Sequence, residues 1–401
     1  MGNRVLVIGG NHQNPLGVIE AFGQKGIKPD VIIIGKYKKS FVLRSKYIDR
    51  RWICATNEEV ISTILENFTD TKCKAVAIAC CDDVACLLND FSDVLSSVLY
   101  LPGTPQQGSL KQWQDKQFMT EAAAKVGMTI PKTWISKDKE IPSGVEYPVI
   151  TKSLTSVKYG KSEFSLCNNE QELKDFLDNK AYSGAIQIQK FVDKEYEFQF
   201  LGCSLDSGKE VIIPGDTYIE PGNGFNNLTF LRYKKGKVVE APTTLQFCKD
   251  FVRETGYSGL FSVEYMQGKD GKDYFLEMNF RNDGNGAVVT AAGTNLPYIW
   301  YLYCTRGDYQ NEIRQSTVKE VYSAPEDSYF LSMVEGHLSF SEWRCNMKKV
   351  ESYITYFPGD TKPFWALIWW QKKSIFQALT FRILRDLRIY NILKKIKHLG
   401  R

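Results

Sequence analysis

The chain has 401 residues, 43% apolar and 24% charged, an ordinary balance for a folded protein with room for two or three compact units. No stretch approaches the roughly 20 apolar residues of a membrane span, and three scattered histidines (His12, His337, His398) with ten cysteines lacking any CxxC pair argue against a zinc centre or a histidine-based triad. The formal charge of +5 is unevenly placed: residues 371–401 carry nine Lys/Arg and one acid, so the other 370 residues total −3 and offer no nucleic-acid groove.

Residues 4–35 read strand, Gly-rich turn, helix, strand. The continuous apolar runs at 5–8, 31–34 and 75–79 are those of a parallel sheet covered on both faces, which predicts α/β architecture. The turn GGNHQN is not GxGxxG, and no acid closes the second strand, so the pattern favours a structural or substrate-facing turn over a dinucleotide site. The N-terminus enters a strand without a signal-peptide pattern, and adjacent Cys80 and Cys81 suit buried reduced thiols; a cytoplasmic location is expected. Pro102 and Pro105 mark a junction. A helix is predicted over 115–126, stopped by Gly127, with Phe118, Ala122 and Val126 on its apolar face. A strand-rich unit follows, with strands predicted at 147–152, 163–167, 186–191, 196–202, 211–214, 261–266 and 274–280 and helices at 170–177 and 245–255. From residue 321 onward no motif is found.

The segment FSVEYMQGKDGKDYFLEMNF, residues 261–280, carries the most chemistry. Asp270-Gly271 predicts a two-residue hairpin turn. Counting outward from a Lys269–Lys272 pair sets Glu264 opposite Glu277, with Cβ atoms roughly 5 Å apart, and Asn279 two residues on shares that face. Facing carboxylates repel, and a hard cation such as Mg²⁺, which takes one or two protein carboxylates, relieves the repulsion. A solvated hairpin is the alternative.

Upstream, Asp115-Lys116 opens a helix, YPVITK ends at Lys152 before the polar loop SLTSVKYGKS, and IQIQKFV leads into KEYEFQF. Lysine, lysine, hinge strand, then Glu…Glu-x-Asn-x-Arg resembles the ATP-grasp superfamily. The likeness is strongest to the carboxylate–amine ligase branch, alongside carbamoyl-phosphate-synthase-like and D-aspartate-ligase-like proteins, and it covers roughly residues 1–305. It implies a Rossmann-like (pre-ATP-grasp) parallel-sheet domain over 1–110. An α+β ATP-grasp domain would follow, with a small lobe at 111–185 and a large lobe at 186–320; beyond the resemblance, the basic tail predicts a helical extension over 321–401. It implies ATP and Mg²⁺ (or Mn²⁺) as cofactors. Lys116 and Lys152 would contact the ATP phosphates, and Gly160 and Lys161 would lie in the covering loop. Gln189, Lys190, Phe191 and Val192 would form the adenine hinge, where many relatives have glutamate in place of Lys190. Glu197 would lie near the ribose, Glu264, Glu277 and Asn279 would ligate the metal, and Arg281 would sit beside the transferring phosphate. The turn NDGNG at 282–286 is either an anion site or a plain turn.

What the resemblance implies is an ATP-dependent ligase that activates a carboxylate as an acyl phosphate, forms ADP and joins the acyl group to an amine. A small-molecule kinase and a nucleotide-binding module without turnover are the other readings. The partners are then small-molecule carboxylates and amines, with no nucleic acid. In the tail, Phe376, Leu379, Ile383, Leu387 and Tyr390 form a helical stripe flanked by arginines, just after FWALIWW. That pattern fits either a helix docked on the body or peripheral contact with an anionic membrane through residues 371–401.

Overall fold

A computed structural model describes residues 2–153, 165–178, 185–219 and 230–386. The N-terminal unit is a five-stranded parallel sheet of β1 (Val5–Gly9), β2 (Asp30–Ile34), β3 (Arg51–Cys54), β4 (Ala75–Ala79) and β5 (Leu99–Tyr100), in the order β3-β2-β1-β4-β5. The apolar runs are the central strands: β1 and β4 are buried along their whole length, because helices cover both faces.

The helix Lys116–Lys125 begins where Asp115 caps it by accepting from Phe118 N (2.8 Å) and ends before Gly127, whose φ is +95°. Its buried positions are Met119, Ala122 and Ala123; Phe118 turns instead onto Trp113 (ring centroids 4.9 Å apart). A small antiparallel sheet follows, ordered β6 (Thr133–Ser136), β9 (Ile186–Lys190), β7 (Val149–Ser153), β8 (Ser165–Cys167). β9 lies inside this sheet, so a lobe boundary at 185/186 would cut it from both its neighbours.

The third sheet has eight strands. β10 (Lys194–Leu205), β11 (Glu210–Ile212), β12 (Asp216–Ile219), β13 (Leu231–Lys234), β14 (Gly259–Gly268), β15 (Asp273–Asn279), β16 (Val321–Ala324) and β17 (Val350–Tyr353) run β15-β14-β10-β12-β13-β16-β17, with β11 paired to β10. β16 and β17 come from the region without sequence motifs, so the stretch expected to be a separate extension from 321 instead completes this sheet. A long helix, Lys362–Asp386, closes the described chain. Among the described residues no helix is long and apolar enough to cross a membrane.

The parallel sheet and the large sheet share their cores. Leu6, Ile8 and Ala77 belong to one apolar cluster with Phe198, Phe200, Tyr265 and Phe275. Val5, Val7 and Ile78 belong to another with Leu201, Cys203 and Trp300. The small sheet packs separately, around Val149, Leu173, Leu177 and Ile188.

Candidate active site

The hairpin of β14 and β15 brings Glu264 opposite Glu277 and Ser262 opposite Asn279. The expected pairing is present, but the expected turn is not. Gly271, at φ +79°, donates its N–H to Gly268 O (2.9 Å), and Gly268 N–H donates to Lys272 O (2.9 Å). That is a longer turn closed by a left-handed glycine, and it shifts the ladder near the tip by one residue: Gln267 faces Asp273 and Tyr265 faces Phe275. A bulge between Glu264 and Tyr265, with Leu276 as the extra residue, shifts it back. The two irregularities cancel. The bulge also lets Phe275 and Met278, three apart, face one core while Glu277 and Asn279 face the site.

Strand alternation builds the rest of that face. On β10, Phe198 and Phe200 enter the core, so Glu197 and Gln199 point the other way, and Gln199 pairs with Glu264. Glu264 Oε1 accepts from Asn279 Nδ2 (3.2 Å) and Gln199 Nε2 (3.3 Å). Asn279 also donates to Ser262 Oγ (3.3 Å), whose hydroxyl donates to Asp283 (3.0 Å). Burial, then Glu277 and Asp283, push the Glu264 carboxyl well above the usual carboxylate range.

Cations converge on these acids from three directions. Lys116, in the first turn of its helix, places Nζ 3.7 Å from Glu277 Oε2. Lys152 leaves β7 and donates to Gln189 Oε1 (2.9 Å). Its amine is lowered to about 8, chiefly by burial and then by Lys116, against the pull of Glu277, Glu197 and Glu264. Arg281 lies between the sheets, bonded to Asp283 (3.1 Å) and to Asp82 (3.4 Å), which opens the helix after β4. His12, at the first turn of the parallel sheet, is held below its usual value by burial and by Arg281.

The other expected residues have these partners. Gln189 is buried and engaged at both ends of its amide, by Lys152 and Thr133, so here it supports the lysine. The Lys190 side chain turns back to Tyr147 O (2.6 Å). Backbone N–H groups of Lys190 and Phe191 are taken by carbonyls of Lys132 (2.8 Å) and Pro148 (3.0 Å). Among the described residues no acceptor takes the N–H of Val192. Glu197 pairs with Lys194 (2.7 Å). Gly160 and Lys161 lie outside the described residues. The 282–286 turn is a plain turn for three of its N–H groups: Asn282 donates to Ala79 O, Asn285 to Asp283 Oδ1, and Gly286 to Asp283 O.

Gln199, Ser262 and Asp82 are not singled out from sequence, and Asp283 only as part of the 282–286 turn. Alternation signals the first two, each two residues from a named acid. Asp82 meets Arg281 across 199 positions, and no local pattern signals that.

Two facing carboxylates and an amide are hard oxygen donors suited to Mg²⁺ or Mn²⁺. Among the described residues no three His, Cys, Asp or Glu side chains gather at one point. The described residues thus offer a pair of carboxylates, as fits a cation that keeps its waters and phosphate oxygens.

No family model matches the sequence, and no curated protein matches it. Solved structures do match in fold. N5-carboxyaminoimidazole synthase from Aspergillus clavatus, in complex with ADP and 5-aminoimidazole ribonucleotide, superposes with a TM-score of 0.63 at 13% identity, over 83% of this chain and 86% of that one. Biotin carboxylase from Campylobacter jejuni, as an ATP-analogue complex, gives 0.62 at 14% identity over 80% and 75%, respectively. L-amino acid ligase from Bacillus licheniformis gives 0.60 at 14% over 80% and 79%. This chain has the ATP-grasp fold. In ATP-grasp terms, the parallel sheet is the N-terminal domain, and the Glu264–Glu277 pair lies on the large sheet, facing Lys116 and within electrostatic reach of Lys152.

Proposed function

We propose that this protein is an ATP-dependent carboxylate–amine ligase that forms ADP through an acyl phosphate. The observation that carries the reading is the pairing of Glu264 with the half-buried Glu277, with Lys116 3.7 Å from Glu277 and Lys152 and Arg281 within electrostatic reach from other elements. Such a cluster is costly unless it binds something of matching charge, and polyphosphate with a divalent cation matches both signs.

Glu264, Glu277 and Asn279 would hold the cation, which would neutralise the phosphates and keep them in line. A carboxylate is a poor acyl donor because its leaving group would be oxide. Transfer of the γ-phosphoryl group to a carboxylate oxygen breaks the bond to ADP and makes phosphate the leaving group. An amine then attacks the carbonyl carbon, and phosphate departs. Lys116 and Lys152 would bind the phosphates in the ground state, and Arg281 would offset charge that grows during transfer. The N–H of Val192 would read the adenine edge.

A cleft of about 540 Å³ opens at the C-terminal edge of the parallel sheet, lined by Gly10, His12, Asn57, Asp83, Asp90 and Lys111. Open α/β sheets bind ligands at this edge, where the strand order reverses, here between β1 and β4. Asp82 and His12 connect this edge to Arg281, which suits an acid or amine substrate bound there and presented to the phosphate. The deciding experiment is ADP release over a panel of carboxylates crossed with amines, with hydroxylamine as a trap. A hydroxamate with ADP is expected; AMP and pyrophosphate would reject the mechanism.

A further inference from the structure

The helix Lys362–Asp386 has two apolar faces, and the protein body covers one of them. On the covered face Leu367 is 9% exposed, Trp370 packs edge-on against Phe41 (6.2 Å), Phe364 packs on Tyr356 (5.2 Å), and Gln371 donates to Asp327 (2.9 Å). The outward face reads Lys362, Trp365, Trp369, Lys372, Phe376, Leu379, in steps of three and four. Trp365, Trp369 and Phe376 are 60, 62 and 70% exposed, and Lys372 Nζ lies 4.3 Å from the Trp369 ring. A solvent face of a docked helix is ordinarily polar; this one is aromatic with lysines between. The stripe expected from sequence began at Phe376 and Leu379. Both are exposed, and the side chains of its remaining members lie outside the described residues.

We propose that this outward face docks on an anionic lipid surface, as an interfacial helix and not a spanning one. Tryptophan and phenylalanine suit the headgroup boundary, where an apolar ring is buried beside polar groups, and Lys362, Lys372 and Lys373 reach phosphate level from the same face. The charge supports the choice of occupant. Residues 371–401, which begin within this helix, sum to +8 while the other 370 total −3, so the charge attracted to anionic lipid belongs to the C-terminal stretch and the rest is mildly repelled. The lysines of this face, Lys362, Lys372 and Lys373, also oppose a second copy seated on it, since like charges would be brought together.

The test uses the full chain and phosphatidylcholine vesicles with or without phosphatidylglycerol. Co-sedimentation is expected only with phosphatidylglycerol and should fall as salt is raised. The double variant Trp365→Ser/Trp369→Ser should lose at least about tenfold in vesicle affinity, and so should Lys372→Glu/Lys373→Glu. Both variants should keep the wild-type melting temperature, since neither pair is on the covered face. Equal binding to both vesicle types, no binding to either, or undiminished binding by both variants would overturn the proposal. So would concentration-dependent dimerisation, without vesicles, that the tryptophan variant abolishes. Vesicle binding does not depend on the reaction proposed for the ATP site, so either assignment can fail alone.

Discussion

Lys152 is where burial and function pull in opposite directions. A lysine kept for phosphate binding must be charged, yet burial and the neighbouring Lys116 lower it to about 8. ATP binds the charged form, so kcat/KM for ATP should fall as pH rises through about 8. Once bound, phosphate restores the amine's basicity, so kcat should hold to higher pH. Lys152→Arg keeps its charge and should flatten the profile; an unchanged fall in that variant would assign the pH dependence elsewhere. The stability sign follows from the same shift. Between about 8 and about 10.4 the unfolded amine holds a proton that the folded one has released, so stability should increase with pH across that window. Glu277→Gln tests the acids. It removes the charge facing Glu264, so ADP formation should drop at least about 100-fold. Stability in the absence of metal should stay level or rise by less than about 1 kcal/mol. Near wild-type ADP formation in that variant would remove the metal assignment.

At the scale of elements, the small sheet has its own apolar cluster and no share in the two large ones, although it carries both Lys152 and the hinge. It should open more readily than the sheets flanking it. Hydrogen exchange should be faster in β7 and β9 than in β4 or β14, and ATP with Mg²⁺ should slow it; no nucleotide effect there would argue against the hinge. Val192→Pro removes the hinge N–H that no described acceptor takes, and should weaken ATP binding roughly tenfold. The strands of this region are legible in sequence because alternation and turn residues are local signals. The turn type was not legible: Asp-Gly suits a two-residue loop, and only the packing of Phe275 and Met278 on one core shows that β15 bulges at Leu276. The face-to-face glutamates were nonetheless readable, because the turn and the bulge shift the register by equal and opposite amounts. β16 and β17 were not readable because each is four residues long, and their pairing spans from residue 231 to residue 353.

At the scale of the whole molecule, the N-terminal sheet and the large sheet cannot be treated as separable modules. They bury residues of the same apolar clusters, and hydrogen bonds to main-chain carbonyls cross between them. Asn282 N–H donates to Ala79 O (2.9 Å), Trp300 Nε1 to Ala77 O (3.2 Å), and Asn295 Nδ2 to Ala21 O (2.8 Å). Arg281 sits at this seam, bonded to Asp82 on one side and Asp283 on the other, so the proposed transfer site exists only when both units are present. Removing residues 1–110 would strip Trp300 of its Ala77 partner and Tyr301 of Phe22, and leave the backbone at 282 without its partner. Side chains of that size cost about 3–5 kcal/mol each when their packing is lost, so even two of them are comparable with the about 5–15 kcal/mol that holds an ordinary domain folded. Residues 111–386 produced alone should therefore be insoluble or lack a cooperative thermal transition. Adding residues 1–110 as a separate chain should restore solubility only if the two associate, which size-exclusion chromatography reads directly. If 111–386 instead melts cooperatively and binds ATP with the affinity of the full chain, the shared core is not required for the nucleotide site. The Asp82–Arg281 contact would then be dispensable for ATP binding, and ADP formation by 111–386 reads whether it is also dispensable for phosphate transfer.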